Sequence, residues 1–199
     1  MKNQARRLIG LTGGIATGKT TVSNYLAQQY NLPVLDADLY AREAVDKGSK
    51  ILKTILQRYG TRLQLPDGNL NRAALGDIVF NNSAEKQWLE MQIHPVVRDR
   101  FTRELSQIDT RTVVLSIPLL FEANLTSLVT ETWVVSCDRA LQIERLQQRN
   151  NLTVTQAKAR IDSQMPLQQK IALADLVLVN DGSLSQLYTQ IDRVMTAVT

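Results

Sequence analysis

Five short apolar runs along the chain predict buried β-strands. They occupy residues 8–12, 33–36, 112–117, 132–135 and 176–179. Continuous apolar runs of this length are typical of strands that are buried on both faces of a parallel sheet. The intervening segments have helical spacing, as in residues 20–30, where Val22, Tyr25 and Leu26 are the apolar positions. The alternation predicts an α/β fold with a five-stranded parallel sheet flanked by helices.

Two helix starts in the last third of the chain support this alternation. Thr153 with Gln156, and Ser183 with Gln186, match the capping box, in which a hydroxyl and an amide satisfy backbone donors at the start of a helix. We therefore expect helices to begin at these two places.

The segment between the second and third predicted strands is unusually long. Its apolar spacing is helical at Ile51, Leu52, Ile55, Leu56 and Tyr59, and residues 65–68 (Leu-Pro-Asp-Gly) predict a turn. An ordinary crossover is much shorter. The segment leaves the carboxyl edge of the sheet, where α/β proteins bind ligands, so we expect this helical insertion to hold an acceptor substrate.

The length of the chain fits one compact unit. It has 199 residues, of which 44% are hydrophobic, and it shows no repeat or flexible linker. We expect residues 1–199 to form a single unit with a nucleotide-binding core at 1–38 and 107–199. Residues 39–106 would form the helical lobe, and residues of about 145–165 would form a lid within the core.

A complete P-loop pattern follows the first predicted strand and precedes the first predicted helix. Its residues are Gly13, Gly14, Ile15, Ala16, Thr17, Gly18, Lys19 and Thr20. In such a loop, backbone N–H groups and the helix N-terminus face phosphate oxygens, and the lysine adds a cation near the β- and γ-phosphates. Thr20 should offer its hydroxyl to Mg²⁺. A glycine-rich turn with an incidental Lys-Thr is the alternative, and the strand and helix on either side favour ATP binding.

Two carboxylates, Asp36 and Asp38, close the second predicted strand. At the sheet edge one of them could orient and deprotonate an attacking hydroxyl. Both also have structural alternatives, because Asp38 could cap a helix beginning at Leu39 and Asp36 could bind loop amides or a metal-bound water. Sequence spacing alone does not choose between the two acids as the base.

Three arginines in the last third are candidates for contacts with phosphate. Arg145 and Arg149 are four residues apart and so share a helix face, and Arg160 follows after a polar stretch. A solvated helix face is the alternative, but phosphoryl transfer needs cations near the equatorial oxygens. With a P-loop present, the pattern favours a closing lid.

Several other residues have an uncertain functional role in the sequence or none. His94 lies late in a helical stretch and could pack or contact substrate, and Pro95 should end or kink that helix. Trp88 and Trp133 are interpreted as core residues. The single cysteine, Cys137, has no sequence feature of a nucleophile and cannot form an internal disulfide.

Charge and hydropathy limit the classes of partner that we expect this protein to bind. The net charge is +4 and the sequence pI is about 9.3, but basic residues alternate with acidic ones and form no long basic run. We interpret the surplus as affinity for phosphate and expect no nucleic-acid partner. No stretch has the roughly 18 apolar residues of a membrane span. We expect a cytoplasmic protein that is a monomer or a weak homo-oligomer.

Taken together, an ordered set of motifs resembles the dephospho-CoA kinase family. The motifs are the P-loop at 13–20, Asp-Ala-Asp-Leu-Tyr-Ala-Arg at 36–42, Leu-Asn-Arg at 70–72, His-Pro at 94–95, Pro-Leu-Leu-Phe-Glu at 118–122 and Asn-Asp-Gly at 180–182. The resemblance runs from the first strand to the C-terminal helix. It implies a P-loop kinase that phosphorylates the ribose 3′-hydroxyl of dephospho-CoA with ATP and Mg²⁺, the last step of coenzyme A synthesis.

The resemblance also implies roles for individual residues. Asp38 becomes the general base, and Arg145 becomes the lid residue that meets the transferring phosphate, with Lys19 as the P-loop cation. The residues placed on the substrate side or behind it are Asp36, Arg42, His94, Glu122 and Arg160. Arg149 and the backbone at Asn180 and Gly182 join the P-loop in binding the nucleotide, the latter two near adenine. One departure is Ser116, where some relatives carry an acid, so that Asp36 or Glu122 would have to supply that function.

Two other functions remain in competition at this point. A nucleotide-hydrolysing switch or motor should carry an Asn-Lys-x-Asp motif or a Walker B acid, and neither is evident in the sequence. A P-loop kinase for another small acceptor, such as a nucleoside monophosphate or a sugar acid, fits the same motifs. Only a comparison of acceptors separates that alternative from a dephospho-CoA kinase.

Overall fold

The computed structural model describes residues 6–197, which fold into two compact units. One unit comprises the chain up to Asp36 and again from Asp109 onward, and the other is the continuous segment Ala37–Ile108. Each unit has its own hydrophobic core.

The first unit contains the parallel sheet that the apolar runs predicted. Its strands are β1 (Arg7–Gly13), β2 (Val34–Asp36), β3 (Thr112–Ser116), β4 (Glu131–Ser136) and β5 (Leu176–Val179). They pair in the order β2-β3-β1-β4-β5, and every pairing is parallel. The central strand β1 therefore has a neighbour on both sides, and its carboxyl end leads into the P-loop.

Five helices accompany this sheet within the described residues. They are α1 (Lys19–Tyr30), α6 (Arg139–Asn150), α7 (Val154–Asp162), α8 (Leu167–Ala172) and α9 (Leu184–Thr196), with α2 to α5 belonging to the other unit. Both predicted capping boxes are present, at the starts of α7 and α9. The core packs β1, β4 and β5 against α1 and α9 through fully or almost fully buried side chains, which include Ile9, Leu26, Trp133, Leu178 and Ile191.

The second unit is entirely helical, as the sequence predicted for this segment. Its helices are α2 (Ala37–Glu43), α3 (Lys50–Tyr59), α4 (Arg72–Phe80) and α5 (Ser83–Gln107). A single antiparallel bridge joins Gln64 to Leu70 around the predicted turn. Ile55 and Leu63 are the most deeply buried residues of the core that α3 and α4 enclose.

At two helix boundaries the structure excludes one of the alternatives that the sequence left open. Helix α2 begins at Ala37, so Asp38 lies within its first turn, and the alternative in which Asp38 caps a helix from Leu39 is wrong. Helix α5 continues through Pro95, so the helix does not end there. A proline inside a helix costs about 3 kcal/mol. Burial of Val97 and Phe101 beyond it, with Phe101 in edge contact with Tyr40, offsets that cost.

Candidate active site

The P-loop connects the central strand β1 directly to helix α1. Ala16 has φ of 61° and Gly18 has φ of 103°, so the loop turns through two left-handed residues. Gly18 is the N-cap of α1, and no side chain caps that end. A Cβ atom on Gly18 would lie 2.2 Å from the amide nitrogen of Asn180, so only glycine fits this position. The first N–H groups of α1 have no partner within the helix, which is the arrangement that favours an anion at this end.

The carbonyl groups of the P-loop are bound by side-chain donors. Lys170 Nζ lies 3.4 Å from the carbonyl oxygen of Gly13, and Gln142 Nε2 donates to that of Ile15 at 2.7 Å. Asn180 Nδ2 donates to the carbonyl of Thr17 at 2.8 Å. Within the loop, Thr17 Oγ1 donates to the carbonyl of Gly14 at 2.9 Å. We call Lys170, Gln142 and Asn180 the carbonyl clamp, because each holds one loop carbonyl from outside the loop.

Lys19 is directed to the end of the neighbouring strand β3. Its ammonium donates to Ser116 Oγ at 2.7 Å, and the Ser116 hydroxyl donates to Asp36 Oδ2 at 3.4 Å. The parallel register aligns Asp36 with Ser116 and Ser116 with Leu11, so the ends of three adjacent strands meet here. A serine hydroxyl therefore occupies the place between the lysine and the acid, and Asp36 supplies the carboxylate beside it.

The peptide of Ile15 is held from both sides by glutamines. Its carbonyl accepts from Gln142 on α6, and its N–H donates to Gln164 Oε1 at 2.9 Å. Gln164 follows α7, and both glutamines line a cavity of about 450 Å³ beside Gly14. The segment expected to form the lid is therefore hydrogen-bonded to the P-loop in this structure.

Glu122 is paired with a buried lysine. Its Oε1 lies 2.8 Å from Lys170 Nζ and accepts from the backbone N–H of Met165 at 3.2 Å. Its Oε2 is buried and has no hydrogen-bond partner. One oxygen of the Glu122 carboxylate is therefore paired with Lys170, and the other oxygen can still accept a hydrogen bond.

The three candidate arginines lie in different surroundings. Arg145 on α6 is half-buried, donates to the backbone carbonyl of Asn180 at 3.0 Å, and has a buried Nη1 without a partner. Arg149 and Arg160 are exposed, and Arg149 donates to the side chain of Asn150. The structure brings Arg145 together with the loop at Asn180 and does not bring the other two to it.

Thr20 and Gly182 are exposed. Thr20 stands in the first turn of α1, so its hydroxyl is accessible to a bound ion.

Near Asn180, burial raises the pKa of the Cys137 thiol to about 11. The thiol is therefore protonated at neutral pH, in agreement with the absence of a nucleophile pattern.

In the second unit, Asp38 and Arg42 line a shallow groove of about 430 Å³. Its floor is apolar, with Val45, Leu75 and Val79 among the lining residues. Arg72, also at the groove, donates to the Arg42 carbonyl at 3.0 Å and to Asp46 at 2.9 Å.

His94 is half-buried on α5, next to Ile93, which lines the groove of the second unit. The structure thus brings Asp38 and Arg42 to one groove, and His94 lies on the helix that contributes Leu89 and Ile93 to the groove.

Sequence reasoning missed Lys170, Gln142 and Gln164. A lysine is expected on the surface unless it is paired, yet Lys170 has no exposed area, and Gln142 has only 3%. Lys170 lies on a six-residue helix without a distinctive pattern, and glutamines are common in this part of the chain. Only the unusual Ser116, noted against the family pattern, pointed in advance to the neighbourhood of Lys19.

Two absences concern the described residues. No helix between residues 6 and 197 is long and apolar enough to cross a membrane. Over the same range, no three His, Cys, Asp or Glu side chains cluster as metal ligands would.

A parallel sheet whose central strand leads through a lysine-bearing phosphate loop into a helix defines the class of P-loop nucleotide-binding proteins, to which P-loop kinases belong. A family model described as dephospho-CoA kinase matches residues 7–186. The chain therefore belongs to the dephospho-CoA kinase family.

Individual relatives agree with this assignment. Dephospho-CoA kinase of Synechocystis sp. is 59% identical over 191 residues, which cover 96% of this chain and 95% of the relative. That of Trichormus variabilis is 56% identical over 187 residues, which cover 94% and 95%.

Solved structures share the fold. A Thermus thermophilus protein, TT1252, has a TM-score of 0.84 at 33% identity and covers 98% of this chain and 100% of its own. Dephospho-CoA kinase from Campylobacter jejuni has a TM-score of 0.71 at 27% identity, with 96% of both chains covered. Shikimate kinase from Aquifex aeolicus, at 17% identity and a TM-score of 0.53 over 95% and 96% of the chains, shares the fold alone.

Proposed function

We propose that the protein transfers the γ-phosphoryl group of ATP to the ribose 3′-hydroxyl of dephospho-CoA, giving coenzyme A and ADP. The observation that carries the proposal is the extent of the family match. Residues 7–186 include both the P-loop with its lysine and the whole helical unit at 37–108. A similarity restricted to the P-loop would support nucleotide binding only.

The P-loop unit would hold the triphosphate. Its N–H groups and the N-terminus of α1 attract the phosphate oxygens, and Lys19 neutralises charge on the transferring group. The hydrogen bond from Lys19 to Ser116 directs the ammonium to the carboxyl end of β3. The backbone at Asn180 and Gly182 would contact adenine. Arg145, which donates to the Asn180 carbonyl, would be the lid residue that meets the transferring phosphate.

The donor set fits Mg²⁺ as it is used in phosphoryl transfer. This ion keeps several waters and takes one or two protein oxygens together with substrate phosphates, so a cluster of three protein ligands is not required. The exposed hydroxyl of Thr20 is the proposed protein ligand, and Asp36 beside Ser116 would hold metal-bound water. When bound, the ion neutralises charge on the phosphates.

The helical unit would hold the acceptor. Its groove combines an apolar floor with Asp38 and Arg42, which suits a substrate with an apolar arm and phosphate groups. Asp38 would accept the proton of the ribose hydroxyl, and it is exposed in the first turn of α2. Arg42 and His94 would bind the acceptor, and Arg149 and Arg160 would contribute cations from a lid at about residues 145–165.

The wider setting follows from the same proposal. A kinase of small molecules needs neither a nucleic-acid partner nor a membrane, and we place it in the cytoplasm as a monomer or weak homo-oligomer. The single buried Cys137 is compatible with a reducing compartment.

The test is ADP release by the purified protein with ATP and Mg²⁺. Dephospho-CoA is compared with nucleoside monophosphates, shikimate and no acceptor, and the product is identified by mass. We expect stimulation by dephospho-CoA alone, with coenzyme A formed. Lys19→Met should abolish the signal, and Lys53→Met, at an exposed position on α3, serves as the matched control. Release that does not depend on an acceptor would contradict the proposal and favour a switch or motor.

A further inference from the structure

Lys170 is a charged residue in a fully buried position. Its side chain has no exposed area, and it lies on the short helix α8 beneath the P-loop. Removing an ammonium from water is costly, and an apolar residue of similar volume is often as good or better for stability. Packing alone therefore does not explain why a lysine occupies this position.

The ammonium of Lys170 faces three oxygen acceptors. Glu122 Oε1 lies at 2.8 Å, the carbonyl oxygen of Pro118 at 3.0 Å and the carbonyl oxygen of Gly13 at 3.4 Å. Three acceptors match the three N–H donors of an ammonium. The Pro118 carbonyl also accepts from Thr12 Oγ1 at 3.0 Å, so the residues following β3 are tied to β1 at the same point. The negative charge of Glu122 offsets part of the free energy that it costs to bury the Lys170 ammonium.

The Gly13 carbonyl belongs to the first residue of the P-loop. A trans peptide is planar, and its carbonyl and the following N–H point in opposite directions. A fixed Gly13 carbonyl therefore fixes the N–H of Gly14. The backbone of Gly13 also packs closely against β4, since a Cβ at Gly13 would lie 2.5 Å from the carbonyl oxygen of Val135.

Lys170 shares this task with the other members of the carbonyl clamp. Gln142 has 3% of its surface exposed and Asn180 has 5%, and both direct an amide N–H at a loop carbonyl. Buried carbonyl groups must be paired, and carbonyl oxygens turned toward bound phosphate would repel it. A clamp that holds the carbonyls away from the phosphate site leaves it to N–H groups.

We infer that Lys170 is a positioning residue for nucleotide binding: its buried ammonium holds the Gly13 and Pro118 carbonyls and so orients the start of the P-loop. Glu122 acts as its counter-charge. The inference rests on the proposed function only for the ATP site, and it does not depend on the identity of the acceptor. Lys170 touches neither nucleotide nor acceptor in this account.

Affinity for ADP, measured by calorimetry without acceptor, is the direct test. The Lys170→Met/Glu122→Gln variant removes the ammonium and the carboxylate charge together, so no unpaired charge is left buried. Lys170→Gln keeps a shorter donor. We expect ADP binding to weaken about tenfold or more in the double variant, the loss of one hydrogen bond from a charged group, and less in Lys170→Gln. In turnover assays of Lys170→Gln, which leaves Glu122 intact, the KM for ATP should rise while the KM for the acceptor stays close to that of the parent.

A purely structural lysine predicts a different pattern. Ile191→Ala, at a fully buried position on α9 outside the carbonyl clamp, provides a protein of lowered melting temperature. It should bind ADP as the parent does. Parent-like ADP affinity in either Lys170 variant would overturn the inference, as would failure of both variants to fold. Failure of the proposed function is recognised separately, because ADP would bind normally to the parent while dephospho-CoA gave no stimulation.

Discussion

The ammonium of Lys19 donates to the hydroxyl of Ser116 at 2.7 Å, across the ends of adjacent strands of the sheet. The same hydroxyl donates to Asp36 at 3.4 Å. Ser116 therefore links the P-loop lysine to the end of β2 and helps to orient the lysine side chain.

Replacing Ser116 by alanine tests this orientation. We expect kcat/KM for ATP to fall by about tenfold, because the long lysine side chain loses one hydrogen bond that involves a charged group. Steady-state kinetics with varied ATP measure the effect. Ser106→Ala, at an exposed position on α5, is the matched control. Unchanged kinetics in Ser116→Ala would show that Lys19 needs no such support.

Gly18→Ala should abolish nucleotide binding. The new Cβ would meet the amide of Asn180 at 2.2 Å and break its hydrogen bond to the Thr17 carbonyl. Gly48→Ala is the control, because Gly48 also has a positive φ, of 88°, but has no atom within 4 Å of a Cβ. Both variants should lose about 1–2 kcal/mol of stability from the backbone conformation. Only Gly18→Ala should also lose ADP binding in calorimetry, and equal affinity in the two variants would contradict the prediction.

Asp38→Asn should lower turnover far more than ATP affinity. Loss of a general base costs about 10²- to 10⁴-fold in rate, whereas the P-loop contacts to ATP are left intact. The measurement is kcat at saturating dephospho-CoA together with the KM for ATP. Asp36→Asn is made in parallel. Near-normal turnover in Asp38→Asn with a large loss in Asp36→Asn would transfer the role of base to Asp36.

Thr20→Val should raise the Mg²⁺ concentration needed for half-maximal activity. Valine keeps the shape of threonine but lacks the hydroxyl oxygen that we propose as a metal ligand. Titration of activity with Mg²⁺ after removal of metal by EDTA measures the shift. Thr189→Val, on the exposed side of α9, controls for the substitution itself. Identical Mg²⁺ titrations for parent and Thr20→Val would contradict the assignment.

Glu85 should stabilise the protein only above acidic pH. The guanidinium of Arg58, which donates to it at 2.7 and 3.0 Å, and the hydroxyl of Tyr59 lower the pKa of its carboxyl to about 2. Because the folded-state pKa lies below the unfolded value, the contribution is present above the unfolded pKa and is lost as pH falls toward about 2.

Thermal unfolding of Glu85→Gln beside the parent measures this dependence. The difference in melting temperature should be largest at neutral pH and should close as the pH falls below about 4.3. Glu90→Gln, which removes a 3.9 Å ion pair with Lys86 one turn earlier, is a control with a smaller expected difference. A difference for Glu85→Gln that did not change with pH would contradict an electrostatic origin.

Local features of the sequence were sufficient for much of the fold. The five apolar runs, the capping boxes at Thr153 and Ser183 and the strand-loop-helix context of the P-loop were all confirmed. Each depends on residues close to one another in the chain, where periodicity and capping act directly. Pro95 does not end its helix, because its local penalty is offset by the burial of Val97 and Phe101 along the rest of α5.

The sequence by itself determined the order of strands and helices along the chain, the presence of a phosphate-binding loop and, through its motifs, the family. Only the tertiary structure decided which side chains hold that loop. Lys170 reaches Gly13 across 157 residues, and Asn180 reaches Thr17 across 163. Neither contact leaves a local pattern, because a buried polar group is specified by the partners that the folded chain brings to it and not by its neighbours in sequence.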